Sequence, residues 1–121
     1  MTPEAAAAFV LRQTAIGRAP LVPELAQHLA AEITPIWQAT EASLAREGVD
    51  PPYGAFAWPG GQALARFVLD DPAQVAGRRV LDLAAGGGIA AIAAARAGAV
   101  VTAAEIDPLA AAAIRANAAL N

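Results

Sequence analysis

Two acids and three glycines carry whatever chemistry this sequence holds. Asp82 precedes Gly86, Gly87 and Gly88 in the run DLAAGGG, and Glu105 follows seventeen positions after Gly88 in EIDP. Glycine has no Cβ and adopts positive φ at no steric cost, so a glycine cluster lets the backbone approach a flat or charged ligand at contact distance. The plain alternative is a tight turn and nothing more. In nucleotide-binding folds a carboxylate about 20 residues beyond such a cluster accepts hydrogen bonds from ribose hydroxyls. The plain alternative for Glu105 is a solvated acid at a strand end. Taken together, the two marks point to a ligand that contains adenosine.

Asp82 bears on which adenosine ligand. GGGIAA also satisfies a loose G-x-G-x-x-A, the dinucleotide form of the glycine motif. A pyrophosphate gains nothing from an anion beside it, whereas a ligand with a cationic amino-acid part does. The spacing D-x-A-x-G-x-G therefore favours S-adenosylmethionine, with its sulfonium and α-ammonium, over NAD. Asp82 could instead hydrogen-bond loop N–H groups, a role compatible with the first. A fragment of an NAD-binding oxidoreductase is the competing reading.

These residues need strands and helices to hold them. Val80 to Leu83 is apolar enough to predict a short buried strand, and Ile89 to Ala97 a helix closed by Gly98 in the left-handed position. Ala99 to Ala104 predicts a second strand ending at Glu105; Asp107 as N-cap and Pro108 at the first position then open a helix running to Asn121. Strand, turn, helix, strand, helix is one βαβ unit and half of the next, which implies a parallel sheet with a right-handed crossover. Upstream, Thr2 and Pro3 start a helix reaching about Ala15. GRAPLVP (17–23) breaks it. Pro23 to about Glu47 reads as one or two amphipathic helices with Leu25, Leu29, Ile33, Trp37 and Leu44 on one side and Pro35 as a break. The stretch 49–61, with Tyr53, Phe56 and Trp58 among prolines and glycines, fits no regular element. Gln62 to Leu69 returns to helical spacing. Two parts follow: a helical N-terminal segment with an aromatic Pro/Gly loop over 1–76, and the ligand-binding α/β part over 77–121.

Composition narrows the classes. The 121 residues suit a single domain. The eight basic residues are all Arg and scattered, and with a net charge of −3 the counterion-release term that drives nucleic-acid binding is missing. No nucleic-acid partner is expected. Without Cys and with His28 as the single histidine, disulfides and thiolate metal sites are excluded and no structural metal is expected. MTPEAAAAFVLRQ has an acid and no basic residues ahead of its apolar ones, unlike a signal peptide, and no apolar run reaches the ~18 residues of a membrane span. A cytoplasmic protein is the expectation.

Three longer runs, PPYGAFAWPGGQALARFVLDDP, GRRVLDLAAGGGIAAIAA and AAEIDPLAAAAIRANAALN, resemble the class I S-adenosylmethionine-dependent methyltransferases. Within that class they resemble the lysine methyltransferases of the electron transfer flavoprotein β subunit and their bacterial relatives. LVPELAQHLA followed by TPIWQATE is similar to that family's helical N-terminal segment, so the likeness covers the chain from about Phe9. The resemblance implies a Rossmann-like fold, present here as N-terminal helices plus the first βαβα of the sheet. It implies S-adenosylmethionine as cofactor, held by Asp82, Ala84, Ala85, Gly86 and Gly88 of the first motif, where the usual first glycine is Ala84. Glu105 matches the ribose-binding acid, Ile106 would lie against the adenine, and Trp58 belongs to the W-P-G-G segment over the cofactor pocket. Trp58 could equally anchor a core, and Trp37, Tyr53 and Phe56 are read as core or lid packing. His28 is read as a surface or hydrogen-bonded histidine.

The implied function is S-adenosylmethionine-dependent protein-lysine methylation of the electron transfer flavoprotein β subunit, with the sequence as a cofactor-binding fragment. Alternatives are a catalytically inactive truncated module, or the ribosomal-protein and small-molecule N-methyltransferases that share this cofactor region. The motifs that line the methyl-transfer site in the family are absent from the sequence, so no catalytic residue is named.

Overall fold

Thr2 starts the first helix as its position predicts. In the computed structural model, which describes residues 1–31, Gln38 and 52–121, the Thr2 hydroxyl accepts from the Ala5 N–H at 3.2 Å, and α1 runs Pro3–Gln13 with Pro3 in its first turn. Its buried residues Ala6 and Val10 pack against Leu109, Ala112 and Ala113 of the last helix, α4 (Pro108–Leu120). Asp107 caps α4, its Oδ1 accepting from the Leu109 N–H at 2.8 Å.

The segment from Pro23 is not the helix its spacing predicts. Two antiparallel strands, β1 (Ala15–Ala19) and β2 (Val22–Leu29), form a hairpin with Gly17 opposite Gln27 and Ala19 opposite Val22. Leu25 and Leu29 fall at helical spacing, and Ala, Leu, Glu and Gln favour helix, but packing overrides propensity. Leu25 and Gln27 lie on one face of β2, and Leu25 enters a core with Val22, Ala65, Ile89, Ile92 and Ala93. Pro23 is tolerated because it sits exposed near the strand's start. The rest of that predicted helical stretch, with Ile33, Trp37 and Leu44, lies outside the described residues.

Helix α2 (Pro59–Asp70) crosses the hairpin. Gln62 ties it there, its Oε1 accepting from the Leu21 N–H at 3.2 Å while its Nε2 donates to the Ala57 carbonyl at 2.6 Å. Arg66 pairs with Glu24 at 2.7 Å and Asp70 at 2.8 Å. The predicted βαβ unit then follows: β3 (Arg79–Leu83), α3 (Ile89–Arg96) and β4 (Val100–Ala104), with β3 and β4 parallel in the register Arg79–Val100 through Leu83–Ala104. Gly98 ends the helix at φ +95°. β3 is not buried on both faces as its apolar run predicts. Val80 and Asp82 are half-buried, whereas Leu81 and Leu83 are exposed. No helix among the described residues is long and apolar enough to cross a membrane.

Candidate functional site

The turn between β3 and α3 is built from left-handed residues. Ala84, Gly86 and Gly88 have φ of +57°, +55° and +80°. At Ala84 this costs ~1 kcal/mol that a glycine would avoid. Gly86 and Gly87 divide their tasks. A Cβ on Gly87 would lie 2.7 Å from the Gly54 carbonyl oxygen, so the 3-10 turn Tyr53–Ala55 rests directly on this backbone. A Cβ on Gly86 would meet nothing and would project into an open groove. That bare surface is the cradle a ligand needs.

Glu105 closes the turn from the other side. Its Oε2 accepts from the Gly86 N–H at 2.9 Å, and its Oε1 from the N–H groups of Ile106 at 2.8 Å and Asp107 at 3.3 Å. One carboxylate thus joins the ends of both parallel strands, beside the Ala85 N–H donating to the Ala104 carbonyl at 3.1 Å. A carboxylate has about four lone-pair sites, and three backbone donors leave one for an incoming hydroxyl.

Asp82 points from β3 toward the start of α3. Burial pushes its carboxyl above the ordinary range, the Ala91 N–H pulls it back, and the negative charge of Glu105 raises it further. That bond goes to an N–H in the first turn of α3 and not to the loop N–H groups of the alternative reading. The other role remains open to it, since its Oδ2 is buried and has no hydrogen-bond partner.

Two adjoining cavities share Trp58, Ala84 and Gly86. One, of ≈ 560 Å³, is lined by Tyr53, Glu105 and Ile106; the other, of ≈ 260 Å³, by Asp82, Ala85 and Leu83. Both fall within or near the size of small-molecule pockets. Ile106 is 90% exposed and Trp58 48%, an apolar surface of the kind that marks a binding groove. Trp58 is fixed by its Nε1 donating to the Tyr53 carbonyl at 2.9 Å, with the Tyr53 and Phe56 rings 6.1 and 5.7 Å away. Of the site residues predicted from sequence, Gly88 alone is not in these linings: it is buried, and a Cβ there would meet Ile114 at 3.2 Å. Among the described residues no group of three or more His, Cys, Asp or Glu could hold a metal ion.

Sequence reasoning missed Asn117, which is fully buried on α4. Its Nδ2 donates to the Gly87 carbonyl at 2.8 Å and its Oδ1 accepts from the His28 N–H at 2.6 Å, pinning the glycine turn to the hairpin. One turn on, Asn121 accepts from the Ala26 N–H at 3.0 Å and donates to the Ala26 carbonyl at 2.7 Å. The i, i+4 spacing of the two asparagines was the available signal, though it also suits a solvated face. The His28 ring itself lies 3.4 Å from the Thr14 hydroxyl, half-buried.

Comparison with known proteins bears on this arrangement of strand acid, bare turn and second acid. Residues 63–121 match the family model described as Ribosomal protein L11 methyltransferase (PrmA). The chain is 46% identical over 114 residues to the electron transfer flavoprotein beta subunit lysine methyltransferase of Xenopus laevis, covering 93% of this chain and 45% of that relative. The chain is similar to these methyltransferases over most of its length. The Danio rerio and human proteins of the same name are 56% and 54% identical over 71 residues, 58% of this chain and 28% and 27% of theirs. The chain thus spans less than half the length of these curated methyltransferases. No solved structure matches it.

Proposed function

We propose that this chain is the S-adenosylmethionine-binding part of a protein-lysine methyltransferase that acts on the electron transfer flavoprotein β subunit. The observation that carries the reading is the pair of acids around one bare turn: Asp82 with an unpartnered buried oxygen, and Glu105 with one lone-pair site left, on opposite sides of Gly86. A cation suits the first and a sugar hydroxyl the second, and the two line adjoining cavities that share Trp58, Ala84 and Gly86. The names carried by the relatives support the acceptor.

S-adenosylmethionine supplies a methyl group already activated by its sulfonium. The chain's own residues bind and orient. Glu105, locked by three N–H groups, presents its free lone pair without rotational loss on binding. Gly86 leaves room for the ligand's body, Ile106 and Trp58 offer apolar walls to a flat base, and Asp82 balances positive charge. A lysine acceptor must be neutral to react.

Calorimetric titration of the chain with S-adenosylhomocysteine and with NADH tests the cofactor. Binding of the first alone is expected, and preference for the second overturns the role given to Asp82. The match to the ribosomal protein L11 model favours a second acceptor reading. Transfer of labelled methyl to the flavoprotein β subunit rather than to L11, by an enzyme of the relatives' full length carrying this part, separates the two.

A further inference from the structure

Gln27 is a buried polar residue of the N-terminal hairpin. It is 2% exposed, on the inward face of β2, two residues beyond Leu25, where the core pattern calls for an apolar side chain. Its Oε1 is buried and accepts no hydrogen bond. Among the described residues only one other buried side-chain oxygen shares that condition, Oδ2 of Asp82. The two residues come from parts of the chain more than fifty positions apart and line the same cavity, with Gly86 and Gly87 forming its floor.

A buried acceptor without a donor is costly, and a fold that keeps two of them on one cavity is shaped for a group rich in donors. An ammonium offers three N–H donors on a compact head and a positive charge for the carboxylate. A sulfonium offers none, and the adenine amino group and the ribose hydroxyls carry no charge to match the carboxylate. Asn117 holds the neighbouring backbone of His28 to the glycine turn, so the amide oxygen of Gln27 is carried on a strand fixed relative to the site.

We propose that Gln27, from the N-terminal hairpin, joins Asp82 in holding the α-ammonium of the adenosyl ligand's amino-acid part. The inference rests on the cofactor reading above. It makes the hairpin a part of the ligand site and a determinant of selectivity for ligands that carry the amino-acid tail.

The test is calorimetric titration of the whole chain with S-adenosylhomocysteine and with methylthioadenosine, which keeps the adenosine and sulfur but has no ammonium. Gln27→Met preserves length and removes the acceptor. It is expected to weaken S-adenosylhomocysteine about tenfold, the loss of one hydrogen bond to a charged group, and to leave methylthioadenosine unchanged. An unchanged affinity for both, or an equal loss for both, overturns the inference. Gln27→Glu keeps an acceptor oxygen and is expected to retain the preference for the amino-acid-bearing compound, which decides the matter if the Met variant does not fold; loss of that preference also overturns it. Failure of both compounds to bind the unsubstituted chain refutes the cofactor reading itself, an outcome distinct from the others.

Discussion

Glu105→Gln keeps the shape of the side chain and exchanges one acceptor oxygen for an NH2 donor. The best placement turns the amide oxygen to Ile106 and Asp107, where two N–H groups converge at 2.8 and 3.3 Å. The NH2 then faces the Gly86 N–H across 2.9 Å, donor against donor. Hydrogen bonds to a charged group contribute roughly 1.5–3 kcal/mol and neutral ones roughly 0.5–1.5. Losing the Gly86 bond outright and weakening the other two, at a half-buried position, sums to about 2 kcal/mol. For a chain of this size that lowers the unfolding midpoint by roughly 6–10 °C. Urea unfolding followed by circular dichroism reads the change, and the denaturant slope should stay constant. S-adenosylhomocysteine should also bind about tenfold more weakly, because the remaining lone pair on Oε2 is gone. Stability within ~0.3 kcal/mol of the parent would show that the carboxylate does not join the strand ends. A destabilised variant with undiminished affinity would remove Glu105 from the ligand site.

Other substitutions test neighbouring steps. The Asp82 carboxyl is held above its ordinary value chiefly by burial, so its contribution favours folding below the unfolded carboxyl range of about 4 and is lost as pH rises through the higher folded value. Asp82→Asn should therefore raise the unfolding midpoint at neutral pH, lose that advantage in acid, and weaken S-adenosylhomocysteine. Asn117→Ala strands the His28 N–H and the Gly87 carbonyl and should cost roughly 2–5 kcal/mol in denaturant unfolding. Gly87→Ala sets a Cβ 2.7 Å from the Gly54 oxygen and should lower both stability, by roughly 1–3 kcal/mol, and ligand affinity. Gly60→Ala, with nothing within 4 Å of its new Cβ, should leave ligand affinity unchanged and stability equal or up to ~1 kcal/mol higher.

The βαβ unit was legible because its signals are local. Gly98, Asp107 and Pro108 each act on their own turn, and Asp82, Gly86 and Glu105 come together once two strands run parallel. The hairpin was not legible, since Gln27 occupies an inward position with a polar side chain and so breaks the period of two that marks a strand. Leu25 and Leu29 then suggest the wrong period. The reason for that polar residue lies across the fold, beside Asp82, and no local window contains it. The same holds for Gly54 and Gly87: a Cβ on Gly54 would lie 2.9 Å from Ala110, and one on Gly87 2.7 Å from the Gly54 oxygen. Asn117 reads as an ordinary polar residue on an alanine-rich helix until β2 is seen against it. At Gly88 the left-handed turn was foreseen, but its side faces Ile114 rather than the groove.

The amides of Asn117 and Asn121 occupy backbone groups of Ala26 and His28 that another strand would otherwise use. A helix thereby finishes the rim of a hairpin, supplying at two rungs what a third strand would have supplied along its length. Side-chain amides offer no onward ladder, so strand-to-strand recruitment by a neighbouring molecule is barred at those rungs. Peeling the hairpin away would expose Ala26 and His28 and, through Asn117, release the carbonyl of Gly87. Loss of the rim and loss of the ligand cradle are then one event, to be seen as a single step in hydrogen exchange at His28 and around Gly87.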